Sequence, residues 1–181
     1  MSVGFFREFL KDPRVKGIDI DSPEILEVHR KVIADKPLMR QVFQKFYDTL
    51  ISARDRYFKV PGREIEIGAG VSLFKQSNKA VYTTDIKESP GLDGVLNAQA
   101  MDLEDASVRS IYGINCFHHF PNPRLFFSEL ARVLNRGGGC VLIEPYYGPF
   151  AKLLYENVHK DEHFNPKQQG WEEDQKMSFM S

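Results

Sequence analysis

The chain has 181 residues, room for one domain with a substantial core. Its 42% hydrophobic and 27% charged residues are the balance of a globular protein in water. The net charge of −1 offers no global attraction to nucleic acid or an anionic membrane, and the basic cluster Arg54, Arg56, Lys59 and Arg63 is interspersed with acids and reads as a solvated face.

No charged-then-apolar signal pattern opens the chain, and no apolar run is long enough to span a bilayer. Neither nucleic acid nor a membrane is therefore an expected partner, and the expected compartment is the cytoplasm. Cys116 and Cys140 sit in apolar stretches with the spacing of neither metal ligands nor a disulfide framework. They are expected to be buried, reduced thiols, and no metal site is expected.

Residues from Ser2 to Ile20 hold Gly4-Phe5-Phe6, Phe9-Leu10, Pro13 and Gly17, which suits a short helix or an irregular arm. Ser22-Pro23-Glu24 starts a helix, with Ser as N-cap, Pro at the first helical position and an acid in the first turn. Ile25, Val28, Val32 and Ile33 share a face. Pro37 breaks the pattern, and Met39, Val42, Phe43, Phe46, Tyr47, Leu50 and Ile51 mark a second helix. Residues 1–60 thus form a helical extension, serving either as packing or as a lid over a pocket.

The second part, residues 61–181, opens on Pro61-Gly62 and a strand, Arg63 to Ile67, that runs into Gly68-Ala69-Gly70. Such a turn suits a nucleotide-like cofactor at the end of an open α/β sheet, or is an ordinary strand-to-helix loop. Val71 to Asn78 is expected to be about two helical turns with Leu73 and Phe74 inward. Ala80 to Asp85 reads as a second strand, and Asp85 either grips a ribose diol or caps a turn. Gly94 to Ala98 is a brief third strand and Ser110 to Cys116 an apolar, central fourth. Asn122-Pro123 starts a helix with Leu125, Phe126, Leu130, Val133 and Leu134 as its buried stripe and Arg132 and Arg136 near its end. Gly137-Gly138-Gly139 is expected to stop that helix before a fifth strand from Cys140 to Pro145. A helix is expected near Phe150 to Val158, then a polar tail with Phe164, Trp171 and Phe179. Alternating strands and helices argue a parallel, doubly wound sheet.

Taken together these pieces resemble the class I S-adenosylmethionine-dependent methyltransferases, most closely the methyltransferase type 11 domain. The resemblance covers about residues 63 to 145 and rests on Glu66-Ile-Gly-Ala-Gly70, Asp85, Asn97-Ala98 followed by Glu104-Asp105-Ala-Ser107-Val108, Phe117-His-His-Phe120, and Arg132-Val-Leu-Asn-Arg-Gly-Gly-Gly139. It implies an α/β, Rossmann-like, mainly parallel doubly wound sheet with the N-terminal helical extension in front. Because the chain ends at Ser181, before the usual antiparallel pair, the sheet is expected to be short or the protein longer.

The resemblance also implies roles. Glu66 would help hold a methionine ammonium, Gly68, Ala69 and Gly70 would pass under the cofactor, and Asp85, followed by Ile86, would take the ribose hydroxyls. Asn97 would face the adenine amino group in place of the family's usual Asp, since an amide oxygen accepts the same bond. Ala98 would meet the base through its N–H, Met101 would pack near it, and Asn115 and Cys116 would lie beside the methionine part. Ser72 and Arg109 depart from the family pattern, where a third glycine and an acid are frequent.

The expected activity is S-adenosylmethionine-dependent methylation of a small molecule. The N-terminal helices, with His29-Arg30-Lys31 and the Lys36-Pro37 break, resemble a subset of that family associated with surface-polysaccharide or glycan clusters, which implies a sugar or glycan precursor. His118 and His119, at the end of strand four, are the candidate bases, or else cap and pack. Glu144, Tyr146, Tyr147 and Trp171 are acceptor-site candidates. An inactive methyltransferase-like binding or partner protein is the alternative, and a nicotinamide-binding domain a weaker third. The assembly expected is a monomer or homodimer.

Overall fold

The computed structural model describes residues 12–19, 22–146, 148–149 and 151. The arm before Asp12, the helix near Phe150 to Val158, Tyr147, Phe164, Trp171 and Phe179 therefore lie wholly or largely outside the described residues.

Helix α1, Pro23–Asp35, begins where Pro23 pre-sets the first helical φ. Lys36 is extended, as a residue before proline prefers, so the helix stops there and α2, Pro37–Tyr57, restarts on Pro37. Strand β1 is Arg63–Ile67, α3 Phe74–Ser77, β2 Val81–Asp85, β3 Gly94–Val95, β4 Val108–Ile114, α4 Pro123–Val133 and β5 Leu134–Ile143. All pairings are parallel, and the strand order is β3-β2-β1-β4-β5. Direction of winding reverses between β1 and β4, the switch point where open α/β sheets bind ligands.

Both faces of the sheet are covered. On one, Ile65, Ile67, Val108 and Ile111 pack against Phe126, Leu130 and Val133 of α4. On the other, Val81 and Tyr112 pack against Tyr47 and Leu50 of α2 and Phe74 of α3. Tyr47 and Phe74 stack with ring centroids 4.8 Å apart, and Phe74 meets Tyr112 edge-on at 5.1 Å. No helix among the described residues is long and apolar enough to cross a membrane.

A polar knot pins α2 to the sheet. The buried Glu64 carboxylate accepts from Arg54 at 2.9 Å, Arg109 at 3.0 Å, the Tyr112 hydroxyl at 2.9 Å and Asn78 at 2.6 Å. This explains Arg109, which stands where the resemblance leads us to expect an acid: its partner acid stands on β1. Burial pushes the Glu64 pKa up, and these bonds outweigh it, holding the carboxyl below its ordinary range.

Several boundaries differ from expectation. Strand β3 covers only Gly94–Val95, not Gly94 to Ala98. Strand β4 starts earlier, at Val108, and ends at Ile114, because Asn115 turns out of the strand with φ +53°. The helical stretch after the glycine turn is the single turn Phe74–Ser77. Helix α4 ends at Val133, before the glycine triplet, which lies inside β5 and stops nothing. Pairing jumps from Val108↔Leu134 to Ser110↔Gly139, so Asn135 to Gly138 bulge out. A Cβ on Gly139 would sit 2.3 Å from the Phe58 ring, and one on Gly138 2.4 Å from the Arg109 carbonyl oxygen. The triplet exists for close approach.

Candidate functional site

The carboxyl ends of β1, β2, β4 and β5 meet at the switch point. Ile65 and Ile67 point into one core, so their neighbour Glu66 points to the other face, toward α2. There it is 2% exposed and accepts from Ser72 Oγ at 2.5 Å. Burial pushes the Glu66 pKa from its ordinary 4.5 to about 7, and the negative charge of Asp85 adds to that. Ser72 Oγ also accepts from the Phe74 N–H at 2.9 Å, at the first residue of the short α3. The serine that replaces a third glycine thus joins the acid to the helix start.

Glycine is needed at the turn itself. Gly68 has φ +58°, and a Cβ there would lie 2.5 Å from Cys116 Cβ. Gly70 has φ +49° with open space beyond it. The turn is held to β2 by Ala69 N–H to the Thr84 carbonyl at 2.9 Å and by Gly70 N–H to Asp85 Oδ2 at 2.9 Å. Asp85 therefore caps the turn, and a carboxylate with further lone pairs keeps acceptor capacity for another ligand. Ile86, next along, is 62% exposed.

Asn97 is exposed and its side chain accepts from the Gln99 N–H at 2.9 Å. Ala98 and Met101 are buried in the α4-side core, and Glu129 accepts from the Met101 N–H at 2.6 Å. Asn115 is exposed at the end of β4, its N–H bonded to the Ile143 carbonyl at 2.8 Å. Cys116 and Cys140 are free thiols, and burial pushes both up, Cys140 to about 12.

A cavity of about 350 Å³ opens over this turn. Its floor is Glu66, Gly68, Ala69, Val71 and Ser72, with Ile114 and Asn115 at one side. Its wall is the helical extension: His29, Val32 and Ile33 of α1 and Met39, Phe43 and Tyr47 of α2. Tyr47 is 2% exposed, its hydroxyl accepts from the Leu73 N–H at 3.0 Å, and burial pushes its pKa up to about 12. Burial holds His29 below its ordinary 6.5. These wall residues were legible only as helical stripes; His29, four before Ile33 on the same helix, was the one signal of something other than core.

The structure does not bring the histidine pair into that cavity. His118 Nδ1 lies 2.5 Å from Glu144 Oε2, and the two histidine rings sit 4.0 Å apart outside the wall. Glu144 Oε1 accepts the Cys116 and Phe117 N–H groups at 3.1 and 2.9 Å. Burial raises the Glu144 pKa, but His118 and these N–H bonds outweigh it and hold the carboxyl low. Glu144 is thus engaged in fixing the loop after β4 to the end of β5. Tyr146 is 86% exposed.

A buried carboxylate without a cationic partner among the described residues, a glycine turn with open space above Gly70, and an acid at the end of β2 suit a ligand with an ammonium and a diol.

Residues 66–142 match the family model described as Methyltransferase domain. No curated protein matches the chain. Among solved structures, the CurJ carbon methyltransferase superposes with a TM-score of 0.53 at 16% identity, covering 78% of this chain and 45% of that one. The CMeT domain of the citrinin polyketide synthase gives 0.51 at 20% identity, over 75% and 43%. A Methanococcus maripaludis structure provisionally assigned as an S-adenosyl-L-methionine-dependent methyltransferase gives 0.52 at 12%, over 78% and 76%. The chain spans less than half the length of the first two. At such identities the likeness is one of fold.

Proposed function

We propose, on the match of residues 66–142 to the methyltransferase-domain model, that the protein is an S-adenosylmethionine-dependent methyltransferase acting on a small molecule. The observation that carries this reading is the cavity in which Glu66, Gly68 and Ala69 of the cofactor-type turn face a mainly apolar wall from α1 and α2. In this reading Glu66 holds the ammonium, Gly68 to Gly70 lie under the cofactor, Asp85 takes the ribose, Asn97, Ala98 and Met101 flank the base, and Asn115 and Cys116 flank the methionine part. The bound cofactor supplies a methyl group already activated on a sulfonium, so the chain needs no nucleophile of its own.

What the chain does is align and exclude water. Helices α1 and α2 close one side of the cavity, and Glu66 offers a fixed negative charge once a cation is bound. The acceptor enters between the glycine turn and the helices. A sugar or glycan precursor remains within this proposal if it presents an apolar or stacking face to Phe43.

The test is transfer of label from S-adenosyl-[methyl-³H]methionine to a panel of sugars, phenols and lipidic hydroxyl compounds. Labelled product from one class, abolished by S-adenosylhomocysteine, supports the reading. Tight cofactor binding with no product from any class contradicts it in favour of a binding or partner protein.

A further inference from the structure

The cavity wall carries a histidine that the cofactor side of the site does not use. His29 lies on α1 and faces the same space as Glu66 and Asn115, with Val32, Phe43 and Tyr47 around it. We propose that His29 is the catalytic base of the methyl transfer, and that the acceptor is a compact, mainly apolar molecule whose reacting group is a phenolic hydroxyl. This rests on the methyltransferase reading above.

Elimination points to His29. The other polar side chains of the cavity are already engaged or carry no basic atom. Tyr47 is buried, and its oxygen already accepts the Leu73 N–H. Glu66 accepts from Ser72 and, in the reading above, is taken up by the cofactor ammonium. Asn115 has no basic atom, and Ser72 is engaged at both its hydrogen and its oxygen. A half-buried imidazole held below its ordinary pKa is neutral at pH 7, with a free lone pair. His118, by contrast, is turned to Glu144, outside the wall.

The wall selects the acceptor. A polyol placed against Val32, Ile33, Phe43 and Ile114 would leave hydroxyls unpaired, at a cost of about 1–3 kcal/mol each. An aromatic ring fits Phe43 and loses little there. A weak base also suits a weakly acidic hydroxyl better than an alcohol. In the step, the acceptor O–H bond breaks and its proton goes to the His29 ring nitrogen. The oxygen pair forms the new bond to the methyl carbon, and the pair of the broken carbon–sulfur bond returns to sulfur.

The experiment uses the full chain, two phenols and glucose. In protein saturated with S-adenosylhomocysteine, titration with 4-methylphenol is expected to shift the His29 ring resonances saturably, and glucose is not. With S-adenosylmethionine, His29→Gln is expected to lower kcat for 4-methylphenol by about a hundredfold, with KM within about threefold. With 4-nitrophenol, which ionises in water at pH 8 without help, the same variant should lose less than about threefold. An equal loss with both phenols makes His29 structural and overturns the proposal. So do an unmoved ring resonance, methylation of glucose but of neither phenol, or no ether from either phenol with the wild type. Failure of the wild type to bind S-adenosylhomocysteine overturns the parent reading as well.

Discussion

Glu66 sets the most specific expectation at the level of single residues. Its folded pKa, about 7, lies above its ordinary 4.5. The native state therefore holds more protons than the unfolded chain between those values, and stability falls as pH rises from 4.5 to about 7, then levels. Replacing Glu66 by Gln should remove that part of the slope in urea melts across this range; an unchanged slope would place the effect elsewhere. A bound ammonium favours the ionised acid, so S-adenosylhomocysteine binding at pH 6.5 should release protons. Calorimetry in two buffers of different ionisation enthalpy measures this, and zero release would detach Glu66 from the ammonium. Asp85 carries the second expectation. Asp85→Ala removes a charged acceptor that also holds Gly70, and affinity for S-adenosylhomocysteine should fall by roughly tenfold or more. Unchanged affinity would mean the ribose lies elsewhere. Asp85 also shows how far one residue could be read. Its position at a strand end after a glycine turn was visible in sequence, but the two readings, cap and ribose ligand, were offered as rivals. Geometry makes the first true and leaves the second open.

Elements explain which glycines matter. Gly68 sits at positive φ against Cys116, whereas Gly70 sits at positive φ beside empty space. Gly70→Ala should cost about 1 kcal/mol of stability, from backbone strain alone, and Gly68→Ala clearly more, since the loop after β4 must also move. Equal losses in chemical denaturation would contradict the close packing of the two loops. The knot around Glu64 gives a larger effect. Glu64→Ala leaves Arg54, Arg109 and Tyr112 facing a lost charge, and should cost about 3 kcal/mol, lowering Tm by roughly 6–12 °C. A shift below a degree would make the knot a surface feature. Hydrophobic period and proline placement were enough to find α1, α2 and α4, since Pro23, Pro37 and Pro123 each stand at a helix start. The glycine triplet misled because three glycines after a helix mimic a stop signal. Their reason, room for Phe58 and Arg109, is a contact made with residues far away in sequence. Likewise Arg109 looked out of place until Glu64 was seen opposite.

At the scale of the molecule, a parallel, doubly wound sheet was legible from the alternation of elements, whereas the place of its reversal, between β1 and β4, came only from the structure. The cavity over the glycine turn was not legible either. Phe43 and Tyr47 repeat at helical spacing, as any core stripe would, and only the packing of α2 on β4 and β5 turns that stripe into a cavity wall. The histidines that stood out in sequence, His118 and His119, lie outside the cavity, while His29 reaches it because α1 lies over the switch point. The central claim is that this turn and cavity hold S-adenosylmethionine, and thermal unfolding with and without ligand tests it most directly. S-adenosylhomocysteine at a hundred times its Kd should stabilise the protein by about 2.7 kcal/mol and raise Tm by roughly 5–10 °C, with NAD giving no shift and Asp85→Ala losing most of the gain. No rise with S-adenosylhomocysteine, or an equal rise with NAD, would contradict it.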